Sequence, residues 1–244
     1  MASAAAAGSD AVTTQGQVFV GVSGFGYPSW RGGFYPENAR PPDFLGLYSA
    51  QLPSVELNAT GRRLPSVEQL RRWADVTPAT FKFAVKLTAA VTARPATAER
   101  FCSPVRSLDR RLGTILVPLP ALGRHDAELA RSLFAALAPD LRYAVELKND
   151  AWNQDDVREL ASHLRAVIVN HPMDDPGFSY FRFRETPYSG DALVSIAATL
   201  YETVAAGRDA YAYFRHEDEP TGPRYARAVL DLLETRDRPS EQQI

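Results

Sequence analysis

Short apolar segments alternate with amphipathic segments along almost the whole chain, and this alternation constrains the fold more than any other feature. Each apolar segment has the length and pattern of a buried strand, and nearly every one is followed by a predicted helix. Because parallel strands must be joined by crossover connections, usually helices, the pattern predicts a parallel sheet. The eight predicted strands begin at Val18, Ser54, Phe81, Gly113, Arg142, Ala166, Ser179 and Ala210.

The number of these units selects one α/β architecture. The chain has 244 residues, close to the ~250 residues typical of a closed barrel of eight strands and eight helices. We therefore predict a single TIM-type (β/α)8 barrel, with the helix between strands six and seven missing or reduced because that interval is short. A doubly wound open sheet is the alternative. It is disfavoured because the turn Gly21–Gly26 lacks the G-x-G-x-x-G spacing of a dinucleotide site.

Alanine-rich or polar ends flank the predicted barrel. Residues 1–16 and 235–244 are predicted to be disordered tails, which leaves residues 17–234 for the barrel. No apolar run approaches the ~18 residues needed to span a bilayer, so no membrane partner is predicted. The only cysteine, Cys102, cannot form an intramolecular disulfide, and a cytoplasmic location is expected.

Two predicted strands, the second and the fifth, carry a glutamate near their carboxyl ends. Both contain the triplet Val-Glu-Leu, with Glu56 in one and Glu146 in the other. A carboxylate in a buried strand is costly unless it is paired or used. Because side chains alternate along a strand, both glutamates are expected to point into the barrel. Asn58 and Lys148, two residues further along, share that orientation.

Cationic side chains from two further strands are expected at the same end of the barrel. Lys86 ends the third strand, and Arg182 and Arg184 alternate with phenylalanines in the seventh. A neutral salt-bridge network is the structural interpretation of these charges. Because buried ion pairs contribute little to stability, we interpret the convergence as a ligand or catalytic site, at the end where TIM barrels carry theirs.

The pairing of acids with cations narrows the predicted chemistry. Two opposed carboxylates are the geometry of glycoside hydrolysis, but neighbouring cations keep carboxylates ionised, whereas a general acid needs a raised pKa. We favour Glu56 or Glu146 as the base in a proton abstraction or isomerisation. Lys86 or Arg182 would steady an oxyanion or a phosphate. The predicted catalytic residues are Glu56, Glu146 and Lys86.

Aromatic residues extend the predicted mouth of the barrel. Tyr27, Trp30 and Trp152 lie in loops after the first and fifth strands. They are expected to form either a hydrophobic plug or a stacking surface for a sugar or a base. The predicted ligand-binding residues are Tyr27, Trp30, Asn58, Lys148, Trp152, Arg182 and Arg184.

The predicted partner is a small anion, such as a phosphorylated sugar or a nucleotide. The formal net charge of −2 argues against general nucleic-acid binding. A nucleic-acid-binding or repair-associated barrel and a catalytically inactive scaffold are the alternatives. The four histidines lack a spacing such as H-E-x-x-H, so no metal is predicted, and no cofactor is indicated. The sequence leaves the oligomeric state open.

Short motifs distributed in a consistent order carry a resemblance to a known family. They include Gly21–Tyr27, Val55–Asn58, Phe81–Lys86, Tyr143–Glu146 and Tyr180–Arg182. In order and spacing they resemble the YecE-like barrels, the domain of unknown function 72 family, from about Val18 to Leu233. The resemblance implies a TIM-type barrel but no reaction, because none is assigned to the family.

The chain departs from the family's pattern at several polar positions. After Asn58 the family usually has an aromatic pair, whereas this chain has Gly61 and Arg62. The fifth strand of the family usually ends Glu-x-Arg-His, whereas here Lys148 and Asn149 follow Leu147. The chain is therefore identified as a divergent member. The retained charged and polar positions are Glu56, Asn58, Lys86, Glu146 and Arg182.

Overall fold

The computed structural model describes residues 15–119, 126–148, 154–171 and 177–237. Eight parallel strands alternate with helices in a nearly closed barrel, which confirms the predicted TIM-type fold. The strands are Val18–Val22 (β1), Ser54–Leu57 (β2), Lys82–Lys86 (β3), Leu112–Leu119 (β4), Arg142–Leu147 (β5), Arg165–Ile168 (β6), Phe178–Phe183 (β7) and Asp209–Phe214 (β8). The α-helices are Phe44–Ser49 (α1), Val67–Asp75 (α2), Ala89–Ala93 (α3), Ala98–Val105 (α4), Asp126–Ala136 (α5), Gln154–Leu160 (α6), Gly190–Ala205 (α7) and Thr221–Asp237 (α8).

Side-chain caps explain where two of the helices begin. The hydroxyl of Ser66 accepts a hydrogen bond from the backbone N–H of Gln69 at 3.2 Å and so caps the start of α2. The hydroxyl of Ser189 accepts in the same way from Ala192 at the start of α7. Each cap satisfies a backbone donor that has no partner within its helix.

The alternation of side chains along the strands separates the core into two layers. Outward residues, such as Val55 and Ile115, pack against the helices. Inward residues, such as Leu116 and Ala144, fill the interior of the barrel. Because Glu56 and Glu146 occupy inward positions further along their strands, this alternation carries both carboxylates to the carboxyl end of the interior.

Asn170 closes the seam between β6 and β7, the two ends of the strand order β6-β5-β4-β3-β2-β1-β8-β7. Its backbone N–H donates to the carbonyl of Tyr180 at 2.9 Å. Its side-chain oxygen accepts from the N–H of Arg182 at 2.7 Å, and its side-chain nitrogen donates to the carbonyl of Arg182 at 3.1 Å. The interval from Ile168 to Phe178 is shorter than a usual crossover connection, and residues 172–176, where the helix is predicted to be missing or reduced, lie outside the described residues. The side-chain amide of Asn170 thus forms the two hydrogen bonds to β7 that the backbone of a neighbouring strand would otherwise form.

We expect Asn170→Ala to lower the free energy of unfolding by about 2–4 kcal/mol. Two side-chain hydrogen bonds are lost. In addition, the left-handed backbone conformation at this position, where φ is 61°, is higher in energy for alanine than for asparagine. Equilibrium unfolding in urea measures the loss. Asn170→Gly loses the same bonds without that backbone cost, so its loss should be smaller. A loss below about 0.5 kcal/mol in the alanine variant would contradict a role in closing the barrel.

The ends of the chain extend the barrel slightly beyond the predicted bounds. Helix α8 continues to Asp237, past the boundary predicted at residue 235. The remainder of the predicted tails, residues 1–14 and 238–244, lies outside the described residues. No helix within the described ranges is long and apolar enough to cross a membrane.

Candidate functional site

Six charged side chains from four strands gather at the carboxyl end of the barrel. They come from β2, β3, β5 and β7 or from the residue directly after the strand, and their charges act on one another. We call this group the mouth cluster. Its members are Glu56, Lys86, Glu146, Lys148, Arg182 and Arg184.

Glu56 is the buried centre of the mouth cluster, with a side chain that is 0% exposed. Its Oε1 accepts hydrogen bonds from Arg182 at 2.9 Å and Arg184 at 2.8 Å, and its Oε2 accepts from the hydroxyl of Tyr180 at 2.7 Å. Burial raises the pKa of Glu56, but the charges of the two arginines outweigh it and hold the pKa below its ordinary value. Because its side chain has no exposed surface from which to take a proton, Glu56 positions the arginines, and the predicted role as a base does not suit it.

Arg182 links the two carboxylates of the mouth cluster. Its guanidinium donates to Glu56 and also to Oε1 of Glu146, and its side chain is only 6% exposed. Oε2 of Glu146 lies 2.5 Å from Nζ of Lys148. A guanidinium between the carboxylates fills the space that a sugar would need, so the arrangement does not match the open pair of a glycosidase. Glu146, whose side chain is 13% exposed, is the more accessible acid.

Lys86 is the cation of the mouth cluster that lacks a direct partner. The residue is half-buried, and its amine forms no hydrogen bond or ion pair with any residue of the described ranges. Burial lowers the pKa of its amine, and the charges of Arg182 and Lys148 lower it further. Its aliphatic stem passes close to Gly61, where a Cβ would lie 3.1 Å from Cδ of Lys86. The glycine that departs from the family's aromatic pattern therefore accommodates this lysine.

A second hydrogen-bonded group supports Arg184 from the side of β1. Oγ of Ser23 accepts from Arg184 at 3.0 Å and from the backbone N–H of His216 at 3.1 Å. It also lies 3.1 Å from Nδ1 of His216. Because two donors already occupy Oγ of Ser23, the hydroxyl of Ser23 donates its own proton to Nδ1 of His216. Nδ1 is then an acceptor, so the imidazole of His216 is neutral. Burial, and then the charges of Arg184 and Arg215, lowers the pKa of His216, in agreement with that assignment.

The aromatic residues predicted to bind a ligand have different surroundings. Trp30 is completely buried, and its indole N–H donates to the carbonyl of Glu217 at 2.9 Å. It therefore belongs to a hydrophobic plug and offers no ring face to a ligand, which corrects its predicted role. Tyr27 is partly exposed, and its ring stacks on His216 with centroids 4.9 Å apart. Trp152 lies outside the described residues.

Four polar residues at the mouth differ in how far the sequence indicates their positions. Asn58 follows β2 as predicted, and its buried side-chain oxygen has no hydrogen-bond partner in the structure. Tyr180 was missed, although it shares one face of β7 with Arg182 and Arg184, so the same alternation that identified the arginines could have identified it. Ser23 and His216 come together only through the pairing of β1 with β8.

Other candidate sites lie away from the mouth cluster. Cys102 is buried, its Sγ lies 4.0 Å from the hydroxyl of Tyr143, and burial raises the pKa of its thiol, as expected for a structural cysteine. Among the described residues, no group of three or more His, Cys, Asp or Glu could hold a metal ion. A cavity of about 570 Å³ lies at the opposite end of the barrel, and its lining includes Lys82 and Arg142. We call it the amino-terminal cavity.

Solved structures with this fold include two from the same family. A DUF72 family protein from Thermotoga maritima MSB8 is 23% identical, with a TM-score of 0.74 over 89% of this chain and 99% of that chain. One from Enterococcus faecalis V583 is 14% identical, with a TM-score of 0.71 over 91% and 99%. These identities establish a shared fold alone. No curated protein matches the chain. The family model described as "Protein of unknown function DUF72" matches residues 19–243, and the chain therefore belongs to the DUF72 family.

Proposed function

We propose that this barrel binds a small anionic ligand at its carboxyl-terminal mouth, of the class of phosphorylated sugars or nucleotides, and that Glu146 provides acid–base chemistry there. The charge of the mouth cluster carries the proposal. Four cations face two carboxylates, so the cluster holds an excess of two positive charges. Positive charges that converge in a partly buried site are costly until an anion compensates them.

The pairing within the cluster indicates which cations would meet the ligand. Arg182 is committed to both carboxylates and is almost completely buried. The amine of Lys86 has no direct partner among the described residues, while the side chains of Lys148 and Arg184 are 43% and 29% exposed. A phosphate at the mouth could accept charge-assisted hydrogen bonds from these three groups. The unpartnered oxygen of Asn58 supplies a further polar contact.

The accessibility of the two glutamates favours Glu146 as the proton-transfer group. Glu56 is completely buried and bound by the two arginines, whereas Glu146 is partly exposed and forms ion pairs with Arg182 and Lys148. A base fixed beside a free cation suits the removal of a proton next to a carbonyl, because the cation stabilises the oxyanion that forms. We favour a small anion over a nucleic-acid strand because Glu217, which follows β8, adds negative charge near this end.

Calorimetric titration with inorganic phosphate and with ribose 5-phosphate tests the proposal. We expect Lys86→Met to weaken binding by about tenfold or more, because it removes the unpaired cation, a change worth at least about 1.4 kcal/mol. Lys86→Arg keeps the charge and should stay within about threefold of the wild type. Neither change leaves a buried partner unsatisfied, so both variants should fold.

Lys82→Met is the matched control, because Lys82 lies at the other end of the same strand, beside the amino-terminal cavity. It should leave phosphate binding unchanged. If Lys82→Met abolished binding and Lys86→Met did not, the anion would occupy the amino-terminal cavity, and the proposal would be wrong. Tight, salt-dependent binding of an oligonucleotide without any binding of the phosphates would favour the nucleic-acid alternative instead.

A further inference from the structure

Lysine is rare in this chain, and its positions are not those of ordinary surface charges. Of the 27 basic residues, 24 are arginines and only Lys82, Lys86 and Lys148 are lysines. Lys82 and Lys86 are the two ends of β3, and Lys148 directly follows β5. The chain thus uses arginine for the charges of its helices and loops and for several positions at the two openings of the barrel, whereas lysine occurs only at those openings.

The two basic residues differ in a way that makes this distribution informative. Arginine stays protonated at every accessible pH, whereas the amine of lysine can lose its proton when it is desolvated or placed beside other cations. A neutral amine is a nucleophile toward carbonyl carbon. A position that needs only a positive charge could therefore have been filled by arginine, as the other 24 positions are.

Only one of the three amines is free of direct contacts. Nζ of Lys148 lies 2.5 Å from a carboxylate oxygen of Glu146. Nζ of Lys82 donates a hydrogen bond to the carbonyl of Arg110 at 2.6 Å. The amine of Lys86 forms no hydrogen bond or ion pair with any residue that the structure describes. Its amine is therefore the one whose lone pair is available once the proton has left.

The surroundings of Lys86 hold its stem and lower the pKa of its amine. Its carbonyl accepts a hydrogen bond from the hydroxyl of Thr60 at 2.8 Å, and its stem packs against Gly61. Burial and the neighbouring charges of Arg182 and Lys148 lower the pKa of the amine. This combination of a desolvated lysine and adjacent cations is the one that activates amine nucleophiles in enzymes.

We propose that Lys86 forms an imine with an anionic aldehyde or ketone bound at the mouth of the barrel. This inference rests on the proposed anion pocket, which would hold the substrate's phosphate or carboxylate beside the amine. Nζ of neutral Lys86 forms the new bond to the carbonyl carbon, and the carbonyl oxygen departs as water with the two protons of the amine. The substrate class is therefore a small phosphorylated or carboxylated carbonyl compound.

Pyridoxal 5′-phosphate, a phosphorylated aldehyde, is the probe that tests the inference. The full-length protein is incubated with the probe, reduced with borohydride, digested and mapped by mass spectrometry. We expect the adduct on Lys86 to exceed those on Lys82 and Lys148 by about tenfold or more. Formation should be half-maximal below pH ~10.4, the ordinary pKa of lysine. Pyridoxal, which lacks the phosphate, should react about tenfold more slowly at Lys86.

Two variants separate the imine from the anion pocket. Lys86→Arg should lose the adduct at position 86 yet still bind inorganic phosphate, whereas Lys82→Arg should keep the adduct on Lys86. Equal labelling of all three lysines, or phosphate binding without any adduct on Lys86, would overturn the imine and leave the proposed anion pocket intact. Equal rates for pyridoxal and its phosphate, without phosphate binding, would overturn the proposed function instead.

Discussion

Replacement of Arg182 by methionine is expected to lower the free energy of unfolding by about 3–5 kcal/mol at neutral pH. The guanidinium donates to both Glu56 and Glu146, and its side chain is 6% exposed. Removing one partner of a buried ion pair leaves an uncompensated charge, which costs far more than the pair itself contributes. Methionine retains an unbranched stem, so the loss reports on charge and hydrogen bonding more than on packing. Equilibrium unfolding in urea measures it.

The control for this variant is Arg215→Met, a cation near the same end of the barrel. The side chain of Arg215 is 57% exposed, and its nearest carboxylate oxygen, in Glu217, is 3.9 Å away. Substitution of such a surface residue should change the free energy of unfolding by no more than about 0.5 kcal/mol. If Arg182→Met were destabilised by less than about 1 kcal/mol, Arg182 would not be the link between the two carboxylates.

Glu56→Gln is expected to lower the free energy of unfolding by about 2–4 kcal/mol at pH 7 and to change its dependence on pH. Glutamine has nearly the same shape but cannot balance the two arginines that donate to Oε1, so charge-assisted bonds are lost inside the barrel. Urea unfolding of both proteins from pH 7 down to about pH 3 provides the comparison.

The direction of the pH effect follows from the lowered pKa of Glu56 in the folded protein. In the unfolded chain a glutamate titrates near pH 4.3. The stability contributed by ionised Glu56 is therefore complete above that pH and is lost as the pH falls through the lower folded pKa. The difference between the wild type and Glu56→Gln should be constant between about pH 5 and 7 and should shrink below about pH 4.

Glu202→Gln makes the same chemical change at an exposed position of α7 and should match the wild type at every pH within about 0.5 kcal/mol. A difference between the wild type and Glu56→Gln that grew as the solution became more acidic would contradict an ionised Glu56. It would mean that burial, which raises the pKa, prevails over the two guanidinium groups.

The hydrogen bonds within the mouth cluster hold its charged groups in fixed positions. Glu56 is buried with two arginines on one oxygen and a tyrosine hydroxyl on the other, so it holds Arg182 and Arg184 in place without meeting solvent. Arg182 in turn orients Glu146, the partly exposed acid. Preorganised charges of this kind need little rearrangement when a charged ligand arrives. Lys86 is the member of the cluster for which we propose a reaction.

The barrel fold and the position of the charged residues along its axis could be predicted from the alternation of residues within single strands. Val55 and Leu57 flank Glu56, and Phe181 and Phe183 flank Arg182, so a period of two assigned each charge to the interior before any contact was known. The register of parallel strands then carried the charges to one end. The same reasoning could not predict which acid pairs with which cation. Alternation determines the face of the sheet on which a side chain lies, but not the side chain that it meets across the barrel.

The sequence by itself determined the fold class, the order of the strands along the chain and the inward orientation of the charged residues, because these depend on periodicity within single elements. Tertiary structure alone decided the rest. Closure of the barrel placed Tyr180 and both arginines on Glu56 and left the amine of Lys86 without a partner in the part of the chain that the structure describes. It also buried Trp30 beneath the loop after β8. Such contacts join residues that are far apart in the chain. Their energies depend on burial and on the distance between charges, and neither quantity can be read from the pattern of residues within one element.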